Sequence, residues 1–313
     1  VTKPKEYKPT DHEDLHPLTL HGQSLTALSN HFTRFPQTSR ELETAATGSL
    51  DDAWDEIGDD SSGANNKNKK RKGSSLMKPY RNITQNDALA RASALAQRCA
   101  GDAKLAEIQR LRNALPISQF KQELLSATEQ HQVVLVAGAT GCGKTTQVPQ
   151  YLIDHNWSLG KGAAVMCTQP RRISAITVSE RIAAERGEQI GQATVGYQIR
   201  LESKAAAEKC SLLFCTNGVL LRRLTSPGAD EMLQGLSHIV VDELHERDLF
   251  ADFLAVVLRS ALVRHPHLKL VLMSATVRED LFSSYFNSCP VIKVPGRTHP
   301  VADYHLEDIL QVV

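Results

Sequence analysis

A run of small and β-branched apolar residues, Val133 to Ala137, passes directly into Gly138-Ala139-Thr140-Gly141-Cys142-Gly143-Lys144-Thr145 and then into a helical pattern reaching His155. The run matches G-x-x-x-x-G-K-[ST] in the strand–loop–helix setting that this pattern requires. Its glycines let the backbone curl until successive N–H groups face phosphate oxygens, and the helix amino terminus adds partial positive charge. Lys144 is then placed to reach the β and γ phosphates, and the Thr145 hydroxyl to ligate Mg²⁺.

The rest of the chain beyond His131 repeats the same alternation. Val133 to Ala137, Ala163 to Cys167, Leu212 to Cys215, His238 to Val241, Lys269 to Met273 and Val291 to Val294 read as strands. Helical spacing follows at Thr145 to His155, Ile173 to Arg186, Gly218 to Thr225, Leu249 to Val263 and Arg278 to Phe286. Such alternation predicts an α/β domain with a mostly parallel sheet sandwiched by helices. Ligands of these sheets bind outside the carboxyl ends of the strands. At one such end, after His238-Ile-Val-Val241, stand Asp242 and Glu243, adjacent carboxylates that suit a hydrated Mg²⁺ taking few protein ligands. Glu243 would also orient an attacking water.

The amino-terminal quarter is of another kind. From Val1 to about Pro79 few apolar residues fall at helical or strand spacing, so the segment cannot bury enough surface to offset its ordering entropy. Its charge is uneven: residues 1–66 hold 5 Lys+Arg against 12 Asp+Glu, residues 67–132 hold 13 against 5, and the remainder balances at 18 against 18. The reading is a largely disordered charged leader over 1–85, a helical lead-in over 86–115 and the α/β domain over 116–313. Within the leader, Trp54 and Ile57 in an acidic run form a candidate docking peptide for protein partners. Lys67-Asn-Lys-Lys-Arg-Lys72 is a candidate nuclear-localisation or nucleic-acid patch. The lead-in places Leu89, Ala92, Leu95 and Ala96, then Leu105, Ile108, Leu111 and Leu115, on apolar faces. Pro116 suits the first turn of a third helix that buries Ile117, Phe120, Leu124 and Leu125.

The composition, 41% hydrophobic and 23% charged, excludes collagen-like, coiled-coil and wholly disordered chains. No apolar run approaches the roughly 20 residues of a membrane span, so no membrane association is expected. Six scattered cysteines without C-x-x-C spacing suggest neither a zinc site nor a disulfide framework, and favour a reducing compartment. Cys142 reads as a small residue in the phosphate loop, and Trp157 and Phe282 as core or lid residues. The chain starts with Val1, and the expectation is that the true amino terminus lies upstream.

Residues from about 110 to 313 resemble the DEAH-box (DExH) branch of the superfamily 2 helicases. Thr168-Gln-Pro-Arg-Arg-Ile-Ser-Ala175, Thr216-Asn-Gly-Val-Leu-Leu-Arg222, Asp242-Glu-Leu-His245 and Ser274-Ala-Thr276 follow the phosphate loop in family order. Their wording, with Gly196-Tyr-Gln-Ile-Arg-Leu-Glu202, is similar to the RNA helicase A-like subgroup. Leu244 stands where Ala is commonest.

The resemblance implies a RecA-like first motor domain of a monomeric, ATP-dependent RNA helicase. It would translocate 3′ to 5′ on single strands, act on single-stranded or structured RNA, and accept other nucleoside triphosphates besides ATP. Gly141, Gly143, Lys144, Thr145 and Thr146 would bind phosphate and metal, His245 would couple the nucleotide to Ser274 and Thr276, and Arg181 would lie against the adenine face. Arg171 and Arg172, after a strand end, are candidate RNA phosphate contacts, with Thr216 and Asn217 adding donors; such contacts carry affinity without sequence preference. The arginine-finger motif, the second RecA-like domain and the C-terminal domains of the family do not occur in these residues. A fragment, weak in hydrolysis by itself, is therefore expected. The alternatives are a nucleotide-binding RNA or protein interaction module and a DNA-directed helicase. Nucleus and cytoplasm fit equally, and an organelle is compatible.

Overall fold

The computed structural model describes residue 77 and residues 79–206, 208–275 and 279–296. The charged runs of the leader, its Trp54 and Ile57 anchors, and Thr276 lie outside the described residues.

Helix α1 (Gln85–Gly101) starts at a reciprocal capping box, in which the Thr84 hydroxyl accepts from the Asp87 N–H and the Asp87 carboxylate from the Thr84 N–H. Asp102 caps α2 (Ala103–Asn113) through the N–H groups of Lys104 and Leu105. A 3₁₀ turn at Pro116–Phe120 leads into α3 (Lys121–Gln130). There follow β1 (Val133–Gly138), α4 (Lys144–Ser158), β2 (Val165–Gln169), α5 (Arg172–Glu185), β3 (Val195–Ile199), β4 (Glu202–Lys204) and β5 (Leu212–Thr216). The remainder comprises α6 (Asn217–Thr225), α7 (Ala229–Gly235), β6 (His238–Val241), α8 (Leu249–Arg264), β7 (Lys269–Ser274), α9 (Glu279–Tyr285) and β8 (Val291–Val294).

The strands form one sheet in the order β4-β3-β5-β2-β6-β7-β1-β8, parallel throughout except for the β3–β4 hairpin. Side chains alternate across the sheet, so the two faces draw on alternate residues. Val134, Val136, Val165, Cys167, Phe214, Val240, Val271 and Met273 pack on one face, against residues from α1, α3, α4 and α5. Leu135, Met166, Leu213, Cys215, Ile239, Val241, Leu270 and Leu272 pack on the other, against α6, α7, α8 and α9. Burial on both faces is why the strands read as unbroken apolar runs.

Three sequence expectations need correction. First, Met77 and Ile83, placed in the leader, are buried, and Ile83 belongs to the same core cluster as α3 and α4. Second, Leu89, Ala96 and Leu111 are exposed. The lead-in helices turn polar residues inward, because those residues find distant partners on the α/β body: Arg91 donates to Lys209 O (2.9 Å) and Ser211 Oγ (2.8 Å), Arg98 to Glu188 Oε1 (2.8 Å), and Arg112 is almost fully buried. Third, the β3–β4 hairpin and α7 were not expected. Gly196, which weakens the strand pattern, is required there, since a Cβ would stand 2.6 Å from the Lys204 carbonyl oxygen of the paired strand.

Candidate functional site: a phosphate loop facing a buried carboxylate

Four adjacent strands, β2, β6, β7 and β1, end on one rim of the sheet, and the residues that follow them form the site. After β1 the chain turns through Gly141 (φ +81°) and Gly143 (φ +96°), both left-handed. Glycine accepts this conformation without the Cβ penalty. At Gly143 a side chain would also meet Leu115 Cδ1 at 2.9 Å and Ile117 Cγ2 at 3.0 Å. The loop is pinned from outside by the Ile117 N–H, which donates to the Cys142 carbonyl (3.1 Å). Cys142 is buried, as expected of a small packing residue. Gly138, Ala139 and Thr140 complete the turn into α4, and the Thr146 hydroxyl donates to Gly143 O (3.4 Å).

Lys144 is 4% exposed, and its Nζ donates to the carbonyl oxygens of Gly138 (2.6 Å) and Ala139 (3.3 Å). Only β7 lies between β1 and β6, so the loop and the end of β6 are two strand spacings apart, about 10 Å. Side chains close that gap. Asp242, 1% exposed, accepts a hydrogen bond from Gln169 Nε2 (2.7 Å) and from the Glu243 N–H (2.9 Å), and the Thr145 hydroxyl is close enough to favour its charged form. Burial pushes its carboxyl pKa up, while these donors and the Lys144 charge oppose the rise. Glu243 is also raised, first by burial and then by the Asp242 charge. Two raised carboxyls beside a threonine hydroxyl form a hard-oxygen environment that a divalent cation would stabilise.

Among the described residues no group of three or more His, Cys, Asp and Glu could hold a metal ion alone. Magnesium does not need one: it keeps several waters and takes one or two carboxylates together with phosphate oxygens. The Thr145–Asp242 contact therefore fits Mg²⁺ held jointly with a triphosphate.

Glu243 (φ 54°) and Arg247 (φ 49°) are left-handed non-glycine residues at either end of a 3₁₀ turn, Leu244–Glu246. Such backbone costs on the order of 1–3 kcal/mol per residue and persists only where surroundings enforce it. Here the Arg247 guanidinium forks onto Asp252 (2.8 and 3.0 Å), and Leu244 is buried in the core. The turn presents His245 to the end of β7. Its Nδ1 accepts from the Ala275 N–H (3.2 Å) and lies 3.3 Å from Glu243 Oε2. His245 thus joins the acidic pair to the segment after β7, where Ser274 is buried; Thr276 lies outside the described residues.

The nucleic-acid candidates divide. Arg171 and Arg172 are exposed at the start of α5, and Arg171 pairs with Glu246 (3.3 Å). Thr216 is half-buried at the start of α6, after β5, the neighbour of β2. Asn217 is 2% exposed, and its side-chain amide donates to Asp248 Oδ2 (2.8 Å), the residue that caps α8, which leaves its backbone as the donor for a ligand. Its side chain ties two helices. Arg181 is largely exposed and held by Glu185 Oε1 (2.8 Å). Gln169 is the residue the sequence reading passed over. It stands at the end of β2, beside the strand that carries Asp242, and that adjacency was its available signal. A separate cavity of about 710 Å³, lined by Tyr80, Arg81, Glu129, His155, His238 and Lys269 among others, lies where β6 and β7 begin, at the opposite rim.

With the geometry established, comparison with known proteins gives a consistent result. The profile of the DEAD/DEAH box helicase family matches residues 118–283. The chain is 50% identical over 232 residues to the DExH-box ATP-dependent RNA helicase DExH6 of Arabidopsis thaliana, covering 74% of this chain and 18% of that protein. It is 54% identical over 204 residues to the putative ATP-dependent RNA helicase DHX57 of Homo sapiens, covering 64% and 14%. With the human ATP-dependent DNA/RNA helicase DHX36 the identity is 46% over 220 residues, covering 69% and 22%. The chain spans about a fifth of the length of these curated relatives.

Proposed function

The chain belongs to the DEAD/DEAH box helicase family, and from that premise we propose that it is the nucleotide-binding motor domain of an ATP-dependent RNA helicase moving 3′ to 5′ on a single strand. One observation carries the reading. Thr145 and Lys144, at the end of the phosphate loop, are both close enough to favour the charged form of Asp242, a buried carboxylate about a hundred residues downstream. The phosphate-handling and acidic residues are therefore parts of a single site.

In this reading Lys144 exchanges the carbonyls of Gly138 and Ala139 for phosphate oxygens, and the backbone N–H groups from Gly141 to Thr146 cradle the phosphates. Thr145 and Asp242 would hold Mg²⁺, which when bound would supply positive charge against the phosphates. Gln169 and the Glu243 N–H fix the Asp242 carboxylate, so that it need not reorient when the nucleotide enters. Glu243 holds the attacking water, and His245 reports the state of that pair to the segment after β7. Arg181 lies against the base without reading its edge, which supports use of other nucleoside triphosphates.

Arg171, Arg172 and Thr216 stand on the same rim, after β2 and β5, and form the strand-binding edge. Because they carry phosphate contacts only, affinity should fall steeply with salt and vary little with sequence. The name of one relative includes DNA as well as RNA. Competition between RNA and DNA strands of equal length at fixed salt separates the RNA-directed reading from the DNA-directed one.

The test of the nucleotide site is binding of a fluorescent ATP analogue with Mg²⁺. Lys144→Ala should weaken it by roughly 10-fold or more, the loss of one charge-assisted contact worth about 1.5–3 kcal/mol. Asp242→Asn should remove the dependence on Mg²⁺. Unaltered binding in both variants would refute the assignment.

A further inference from the structure

Glu185, at the carboxyl end of α5, is a carboxylate only 3% exposed, and it gathers donors from three elements. Its Oε1 accepts from Arg181 Nε (2.8 Å). Its Oε2 accepts from Gln147 Nε2 (3.0 Å) and Gln150 Nε2 (2.8 Å), both on α4, the helix that follows the phosphate loop. Arg112, near the end of α2, lies 3.5 Å from the same oxygen, and its Nε donates to Gln147 Oε1 (2.7 Å) while its Nη1 donates to Gln109 Oε1 (2.8 Å). Gln147 Nε2 also donates to Thr146 Oγ1 (2.9 Å). The chain of contacts therefore runs from the lead-in helix to a phosphate-loop hydroxyl in one direction and to Arg181 in the other.

An exposed Arg–Glu pair four residues apart on a helix is ordinary and contributes little. This pair differs at its carboxylate end. Glu185 is dry, shared with the phosphate-loop helix, and faced by a buried guanidinium from a helix outside the strand–helix alternation. Removing one partner of such a network leaves the others uncompensated, so its members act as a unit. Arg181, by contrast, is largely exposed, and Glu185 is what fixes its direction.

We propose that Glu185 and Arg112 are positioning residues for the nucleotide site: Glu185 aims Arg181 at the base and Gln147 at the phosphate loop, and Arg112 makes that aim depend on the docking of α2. The lead-in helix is thereby part of the site, and its displacement by a partner or by the preceding chain would loosen the grip on the base. This inference rests on the nucleotide reading given above. The ligand it discriminates is a nucleoside diphosphate or triphosphate against a bare polyphosphate.

The experiment measures, for the 313-residue chain, the affinity of fluorescent ADP and its displacement by unlabelled ADP and by tripolyphosphate. Glu185→Gln keeps the shape and removes the charge; it should weaken ADP by about three- to fivefold, the scale of one cation–π contact, with tripolyphosphate changed less than about twofold. Arg112→Lys keeps the charge beside Glu185 and loses the bond geometry to Gln147 and Gln109; it should show a smaller loss of the same discrimination. Equal weakening of both ligands in Glu185→Gln, or none, overturns the inference, because a general loosening of the fold would not select the base. Full discrimination in Arg112→Lys removes the lead-in helix from the site, and it also decides the matter if Glu185→Gln does not fold. Lys144→Ala separates the two levels: if it leaves ADP binding intact, the nucleotide reading fails and this inference with it. If Lys144→Ala abolishes binding while Glu185→Gln retains full discrimination, only the positioning role is lost.

Discussion

His238 opens β6 with its ring 7% exposed, and its protonation links the sheet to pH. Ser237 Oγ donates to Ala164 O (3.0 Å), so its remaining role toward His238 Nδ1 (2.9 Å) is that of acceptor, and the imidazole is the Nδ1–H tautomer. Burial, and then the charges of Lys269 and His155, lower its pKa from 6.5 to about 3. In the unfolded chain the ring takes a proton near 6.5, whereas in the folded chain it resists until about 3. The unfolded state therefore binds more protons between those values, and stability must fall as pH falls through them. From pH 6.5 to 5 this amounts to about 2 kcal/mol, at about 1.36 kcal/mol per unit. His238→Asn retains a donor for Ser237 and cannot titrate. Urea unfolding of both proteins at pH 7 and pH 5 should show the wild type losing about 2 kcal/mol more than the variant between the two conditions. Equal losses would mean that His238 is already charged, or already exposed to water, in the folded sheet, and the argument from burial would be wrong.

Three other outcomes follow from packing. Trp157, 1% exposed and approached by the guanidinium groups of Arg91 (5.5 Å) and Arg186 (5.4 Å), should lose about 3–5 kcal/mol on truncation to Ala, measured by denaturant midpoint. Gly162→Ala puts a Cβ 1.9 Å from the Tyr80 carbonyl oxygen, a backbone atom that cannot swing aside. The expected loss is at least about 1–3 kcal/mol, and a melting temperature unchanged from wild type would contradict it. Of the six cysteines, Cys99 alone is not buried, and burial lifts Cys210 and Cys215 to about 12. A thiol reagent at neutral pH should titrate one group rapidly under native conditions and all six in denaturant.

Much of this architecture is legible in the chain because its causes are local. β6 falls on the expected residues because a central strand is buried along its whole length, and β8, at the sheet edge, because Val291, Ile292 and Val294 surround a single exposed Lys293. The meeting of Lys144 and Thr145 with Asp242 is legible for a different reason: a parallel sheet brings all its strand ends to one rim, whatever their separation along the chain. What escaped reading depends on partners far away in sequence. Arg112 looks like a surface residue until Gln147 and Glu185 are seen beside it, and Leu111 looks like core until Arg112 takes its place. Asn217 sits in a segment rich in donors, but its amide is spent on Asp248, 31 residues on. The β3–β4 hairpin was hidden by Gly196, whose bare backbone is the condition for the close approach of Lys204. No periodicity encodes such pairings.

The shortness of β6 has a mechanical outcome. Its four residues are clamped by β2 on one side and β7 on the other, in registers that pair His238 with Val165 and with Lys269. Sliding it by the smallest step that keeps its side chains on their own faces, two residues, would carry Asp242 about 6.6 Å along the strand axis. That is farther than a carboxylate can reach back toward Thr145. The acidic group is therefore seated by two neighbouring rails, and the accuracy of the whole device is inherited from the ladder beneath it.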